Sequence, residues 1–496
     1  MKNVITYALL LLALSTPAGV HGQALTLTLE QAIAQAREMS PDAQSARHTF
    51  RSAYWNYRYY RANYLPALTL TSAPYMDRAI NRITMGDGSV QFVEQNLLST
   101  DLSLSVTQNI ALTGGTLSLT TSAQRLDLLS EHTSSWQTSP VILGYSQSLF
   151  GYNSLKWDRR IEPVRYEEAR KSYVETLELV AATATQKFFD LATAQSNLEI
   201  ATTNYANADT LYAYAQGRYE IGTISENEML QLEINKLNEE ANCMSARIEV
   251  ENAMQELRSY LGIREDTDLQ VRLNDSIPDF VVNLNEALLL ANANSPDIQN
   301  MRRRKLESES NVAQARANAG LKADIYLRFG LTQTGDKLRD AYHDPLDQQY
   351  VSLTLSLPIL DWGRGKGQVR VARSNRDLVY TQVEQDKTDF QLNVRKLVKQ
   401  FNLQGQRVRI AARTDRTAQR RAEVARRLYL LGKSSVLDLN ASVSEKDAAR
   451  RNYIASLNEY WSLFYTLRSL TLYDFEHGRT LEDALTIDNA ITIGNH

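Results

Sequence analysis

Two acids stand at matched places in this chain. The stretch RYEIGTISENEML (Arg218 to Leu230) and the stretch RLYLLGKSSVLDL (Arg427 to Leu439) each carry a glycine, Gly222 in one and Gly432 in the other. Each glycine has a tyrosine three residues before it (Tyr219, Tyr429), a serine three after it (Ser225, Ser435) and an acid six after it (Glu228, Asp438). A carboxylate at such a place can cap a helix, accept a hydrogen bond from a phenol, or attract a cation. Taken singly, each acid reads as a surface carboxylate or a cap. Their equivalent places add a second reading, charge arranged around an opening.

Other groups that could do chemistry do not assemble into a catalytic pattern. GRGKG (Gly363 to Gly367) follows a strand and opens a helix, but a dinucleotide loop needs G-x-G-x-x-G and an acid about 20 residues on. The bland reading, a joint between strand and helix, wins. The six histidines are scattered without metal-ligand spacing. There is no G-x-S-x-G and no H-E-x-x-H. The chain is therefore expected not to be an enzyme and to need no cofactor or metal. Arginines at Arg302 to Arg304 and from Arg407 to Arg427 are interrupted by apolar residues and acids, which suits solvated helix faces. With a net charge of −3, nucleic-acid binding is not expected.

The first 22 residues read as a secretory signal peptide, with Lys2 as the basic end, Val4 to Leu14 as the apolar stretch and small residues around Gly22 as the cleavage site. No later stretch is apolar and long enough for a membrane helix, so a chain of this kind could cross a membrane only as a closed β-barrel. The single cysteine, Cys243, excludes an intrachain disulfide. No cysteine follows the signal region, so lipid attachment there is not expected.

The elements that would position the two acids are written twice. LTLEQAIAQAREMSPDAQS (27 to 45) resembles VNLNEALLLANANSPDIQN (282 to 300). In each, Ser-Pro-Asp (Ser40 to Asp42, Ser295 to Asp297) ends one helix and starts another, because proline suits the first helical turn. Alternating stretches follow, LPALTLTSAPY and TDLSLSVTQNI in one half, LKADIYLRFGL and YVSLTLSLPIL in the other, each reading as a strand with one apolar face. A long helix, a glycine turn and a shorter helix complete each half. The expected organisation is a signal peptide at 1–22, a first repeat at 23–280 (strands about 66–150, helices to 260), a second at 281–472 (strands about 322–360) and a tail at 473–496.

The first long helix is expected from about Pro163 to Gly217, roughly 80 Å, and the second from about Gly365 to Leu431, roughly 100 Å. In each half the two shorter helices, end to end, roughly match the long one, as the wall of a hollow cylinder requires. Tyr166, Ala169, Tyr173, Leu177, Val180, Ala184, Phe188 and Leu191 repeat with an 11-residue period, which gives nearly straight packing. Phe390, Val394, Leu397 and Phe401 step as a left-handed coiled coil does. Periodicity alone favours an ordinary long coiled coil; the strand pairs tip the balance, since a coiled coil has no use for them.

With this plan in view, the chain resembles the TolC family of outer-membrane efflux proteins. The resemblance rests on Leu29-Glu30-Gln31-Ala32 and Leu284-Asn285-Glu286-Ala287, both Ser-Pro-Asp steps, LSLPILDWGRGKG (Leu355 to Gly367) and the two glycine turns, in that order along nearly the whole mature chain. It implies a mainly α fold with a β portion: a homotrimer whose strands form one transmembrane β-barrel continuing into a periplasmic α-helical barrel. It implies an export duct in the outer membrane, served by a periplasmic adaptor protein and an inner-membrane pump and set in outer-membrane lipid. The other reading carried forward is a periplasmic or surface coiled-coil structural protein without channel activity.

The family pattern places the glycine turns at a gated periplasmic end. There, a tyrosine three before the second glycine and an arginine two after it bond the acid six after the first glycine. Tyr429 and Glu228 match; the arginine position is Ser434, beside Lys433; the family's second acid is Ala441, which leaves Asp438. The expected gate is therefore Tyr219, Gly222, Glu228, Tyr429, Gly432 and Asp438.

The family usually needs two strands per half. Here the first half carries an extra piece, ALTGGTLSLTTSAQRLD, then a polar loop with Trp136, then PVILGYSQSLFGYNSLKW. Leu102–Ile110 is expected to pair with Thr116–Leu126 through a two-residue turn at Gly114-Gly115, as a type I′ turn requires. Whether this hairpin joins the barrel or lies beside it is left open by the residues. Aromatics gather near the strands (Tyr75, Trp136, Tyr145, Phe150, Tyr152, Trp157, Tyr326, Tyr350, Trp362), as interfacial girdles do, though Trp157 and Trp362, beside the strand-to-helix joints, read at least equally as packing where barrel meets helix.

Overall fold

The computed structural model describes residues 25–263, 268–274, 276–431 and 433–484. The expected signal peptide and Gly432 lie outside them. Strand β1 (Leu25–Thr28) leads into α1 (Leu29–Met39) and α2 (Pro41–Ala62). Strands β2 (Ala67–Thr71), β3 (Tyr75–Thr84), β4 (Val90–Ile110), β5 (Gly115–Leu128) and β6 (Thr133–Ser148) follow, then α3 (Ser154–Glu220) and α4 (Glu226–Leu261). The second half repeats the order: β7 (Leu269–Arg272), α5 (Leu284–Asn294), α6 (Pro296–Ala319), β8 (Lys322–Gly335), β9 (Leu346–Ser356), α7 (Arg364–Leu430) and α8 (Val436–Thr471). Short pieces β10 (Tyr473–Asp474), β11 (Arg479–Thr480) and α9 (Leu481–Ala484) end the described chain. The helices correspond in length: 67 residues in both α3 and α7, 36 in both α4 and α8. The helical signals are local. Thr28 caps α1 with a reciprocal bond to Gln31, and the Ser40 hydroxyl accepts the Ala43 N–H at the start of α2.

The chain divides into two compact units. One comprises Met1–Phe50, Lys171–Ser295 and Phe390–His496. Its core follows the apolar periods: Tyr173, Leu177, Val180, Ala184, Phe188 and Leu191 are buried along α3, and Phe390, Val394, Leu397 and Phe401 along α7. Strands β1 and β7 pair in parallel in this unit, Leu25 opposite Leu269.

The other unit comprises Arg51–Arg170 and Pro296–Asp389 and holds the large sheet. The strands run antiparallel in the order β2-β4-β5-β6-β8-β9, with β3 also on β4, beyond the break that follows β2. The expected hairpin forms, Leu102 opposite Ala123 and Ile110 opposite Gly115. Its turn differs from the expected one. Gly115 is already strand, and the loop is Ala111 to Gly114, with positive φ (79°) only at Gly114. The Thr113 hydroxyl accepts the Gly115 N–H, and the Asn153 amide donates to the Ala111 and Leu112 carbonyls, so polar side chains hold a wider loop than a type I′ turn.

Two further expectations are corrected, and one strand is added. Trp136 is in strand β6, not in a loop. Residues 75–84, for which the sequence offers no reading, form β3, whose charged Asp77, Arg78 and Arg82 hid the alternation. Helix α3 starts at Ser154 rather than near Pro163, because the Asn153 side chain accepts the Lys156 N–H and the helix accommodates Pro163 within it.

Candidate functional site

The two glycine turns join α3 to α4 and α7 to α8, and the chain around each turn lies in the first unit. At the first, Gly222 has φ of 70°, a left-handed value that glycine adopts without strain. Its N–H donates to the Tyr219 carbonyl at 2.9 Å, and the Thr223 N–H donates to the Arg218 carbonyl at 2.9 Å. At the second turn the Lys433 N–H donates to the Leu428 carbonyl at 2.9 Å, the same five-residue reach. Both turns thus satisfy the last carbonyls of a long helix in one way.

Each acid then starts the next helix. The Ser225 hydroxyl accepts the Glu228 N–H at 3.3 Å, and Glu228 Oε2 accepts the Ser225 N–H at 3.0 Å, a complete capping box. Asp438, one methylene shorter, does not reach back in this way. Its N–H donates to the Ser435 hydroxyl at 3.2 Å, while its carboxylate accepts the Ser435 and Ser434 hydroxyls at 3.0 and 3.4 Å. Both acids are exposed, Tyr219 is exposed and Tyr429 half-buried. In the single chain no hydrogen bond joins Tyr429 to Glu228; Glu228 Oε1 keeps its acceptor capacity. The serine at the arginine position, Ser434, bonds Asp438 of its own turn.

The GRGKG stretch is a capped joint. Asp361 accepts the Gly363 and Gly365 N–H groups at 2.9 and 2.8 Å, and the backbone bonds hold its carboxyl below the usual range. No described helix is long and apolar enough to cross a membrane.

One ionic cluster escaped the sequence. Glu178, fully buried on α3, accepts from Arg468 of α8 at 2.8 Å and from Arg37 of α1 at 2.5 Å. Arg468 also donates to Asp474 at 3.0 Å. Burial pushes the Asp474 carboxyl up, but Arg468 and the His477 N–H outweigh it and hold the carboxyl below its usual range. Glu178 sits between the apolar Leu177 and Leu179, and nothing in its neighbourhood of sequence marks it.

The sequence matches the model of the outer membrane efflux protein family over residues 32–263 and 287–471. The chain belongs to the outer membrane efflux protein family. This efflux protein is mainly helical with a β portion, and its family places it in the outer membrane and in efflux. Solved structures agree in fold. The Campylobacter jejuni CmeC outer membrane channel superposes with a TM-score of 0.67 at 15% identity, covering 94% of this chain and 89% of that one. The open-state Neisseria gonorrhoeae MtrE outer membrane channel gives 0.61 at 16% identity, covering 89% and 88%. CusC, described for its transmembrane channel formation, gives 0.62 at 16% identity, covering 92% and 95%. No curated protein sequence matches this efflux protein.

Proposed function

We propose that three copies of this protein form the exit duct of a tripartite efflux or secretion system, passively conducting cargo from an inner-membrane pump through the periplasm and outer membrane, with a periplasmic adaptor protein as partner. The observation that carries this reading is the exposed apolar face of the large sheet. Leu68, Val106, Leu119, Leu143 and Phe329 follow one another across β2, β4, β5, β6 and β8, and all but Val106 are exposed. The next residues along, Thr107, Ser118, Gly144 and Arg328, line the other face. A soluble sheet buries its apolar face; a barrel wall turns it to lipid.

Assembly is supported by two helix faces that one chain leaves uncovered. On α4, Leu230, Ile234, Leu237, Met244 and Ile248 are exposed at coiled-coil spacing, opposite the buried Leu232, Cys243 and Ala246. On α7, Leu403, Ile410 and Val424 are exposed at multiples of seven residues, with Leu428 four beyond. Glu226, Glu233 and Glu240 flank the first stripe, and Arg427, Arg420 and Arg413 flank the second, each arginine one residue farther from its turn glycine than the matching acid. Laid antiparallel, α4 of one copy and α7 of the next bring these acids and arginines together, as flanking charges do in coiled coils.

At the turns, Gly222 reverses the chain at the first, Glu228 accepts from the Tyr429 hydroxyl in the closed assembly, and Tyr219 and Asp438 complete the lining. The Asp438 ring attracts cations and repels anions. Outer-membrane fractionation and trimer mobility on unheated denaturing gels test the whole reading. A soluble monomeric or dimeric chain would favour the structural coiled-coil alternative.

A further inference from the structure

The sheet of a single chain counts more strands than the duplicated plan requires. The hairpin β5–β6 does not lie beside the sheet: it separates β4 from β8, hydrogen-bonded to both along its length with one bulge in β6 between Thr138 and Ile142, so one chain supplies six antiparallel wall positions, β2 and β3 together making one. At 14 and 16 residues, β5 and β6 are long enough to cross a bilayer, for which about 9–11 residues suffice. They carry the same apolar face as their neighbours, through Leu117, Leu119, Leu143 and Tyr145. The opposite face of the hairpin is small and uncharged at Ser118, Thr120, Ser122 and Gly144, which suits a wet interior.

We propose that three copies close a barrel of eighteen strands, with β5 and β6 in its wall, and that this protein therefore opens a wider outer-membrane mouth than a member with four strands per copy. The inference rests on the trimeric duct proposed above. Six is an even number, so β9 of one copy runs antiparallel to β2 and β3 of the next, and the ring closes without a mismatched pair. The two sheet edges, β9 on one side and β2 with β3 on the other, are the surfaces that meet, and their occupant is a second copy of this chain. With strands about 4.8 Å apart and tilted by about 40°, eighteen give a backbone diameter of about 36 Å, against about 24 Å for twelve. In a barrel of that width side chains do not fill the lumen. The mouth then sets no tight size limit, and the hairpin's share of its lining is hydroxyl-rich and adds no charge to that of Arg328 on the neighbouring β8; bulky hydrated cargo is the class it fits.

Electron cryomicroscopy of the wild-type protein in lipid nanodiscs tests this directly. The expected result is a trimer with eighteen wall strands, β6 hydrogen-bonded to β8. In parallel, spin labels at Leu119 and Leu143 should report lipid, and labels at Thr120 and Ser118 water. A trimer with a twelve-stranded ring and β5–β6 outside it, or water at Leu119 and Leu143 with the trimer intact, overturns the inference and leaves the export duct standing. A chain that forms no trimer in lipid overturns the duct reading itself.

Discussion

Reversing Arg420 to glutamate should weaken the trimer, and the effect can be sized. Arg420 is exposed on α7, has no ion-pair partner among the described residues, and flanks the uncovered stripe of Ile410 and Val424. In the proposed antiparallel seam it faces Glu233 of the next copy, eleven residues past Gly222 as Arg420 is twelve before Gly432. An exposed pair is worth about 0.2–1 kcal/mol, and reversal replaces attraction with comparable repulsion, so three equivalent contacts cost a trimer about 1–6 kcal/mol. The assay is the temperature at which the trimer band dissociates on a denaturing gel, read at low salt and at high salt. Arg420→Glu should lower that temperature at low salt. The loss should shrink near 1 M salt, where the screening length is about 3 Å. The charge-swapped double variant, Arg420→Glu with Glu233→Arg, should recover most of it. Arg426→Glu, on the opposite side of α7 from the stripe, serves as the control. If the swap recovers nothing, or if the control is equally damaging, the two stripes do not face each other across copies and the seam is wrong.

Three further outcomes follow from particular contacts. Gly115→Val should lower the yield of assembled protein more than Ala111→Val in the loop, because a Cβ at Gly115 meets the Gln147 amide and comes within 2.9 Å of the Ser146 carbonyl; overpacking of this kind costs about 1–3 kcal/mol. Tyr429→Phe should raise single-channel conductance in planar bilayers by removing a hydrogen bond to a charged group, worth about 1.5–3 kcal/mol per copy, and Asp438→Ala should reduce cation preference; unchanged recordings would make both turns merely structural. Removing Glu178 leaves Arg468 and Arg37 facing a buried gap, so Glu178→Ala should cost about 3–5 kcal/mol in thermal melts. In the same cluster, the depressed Asp474 carboxyl contributes stability above the unfolded value of about 3.9, and loses it as pH falls through the lower folded value. Asp474→Asn should flatten that acid limb of the melt profile.

Much of this protein is legible in order along the chain. Helix starts rest on neighbours three residues apart, such as Thr28 with Gln31 and Ser225 with Glu228, and a local contact is visible in a local string. The apolar steps from Tyr173 to Leu191 mark one face of α3 because a helix repeats its geometry every turn, and burial follows them. Alternation likewise exposes β4, β5, β8 and β9. It fails for β3, where charges on both faces erase the period, and it blurs β6, where a register shift between Thr138 and Ile142 breaks it. The place of the extra hairpin between β4 and β8 is a different kind of fact. Strand neighbours are chosen by backbone hydrogen bonds that carry no residue label, so Leu143 opposite Phe329 cannot be read from either segment. The same holds for the buried Glu178, whose arginines lie 141 and 290 residues away: the chain determines each charge, and only the folded packing decides which of them must meet out of water.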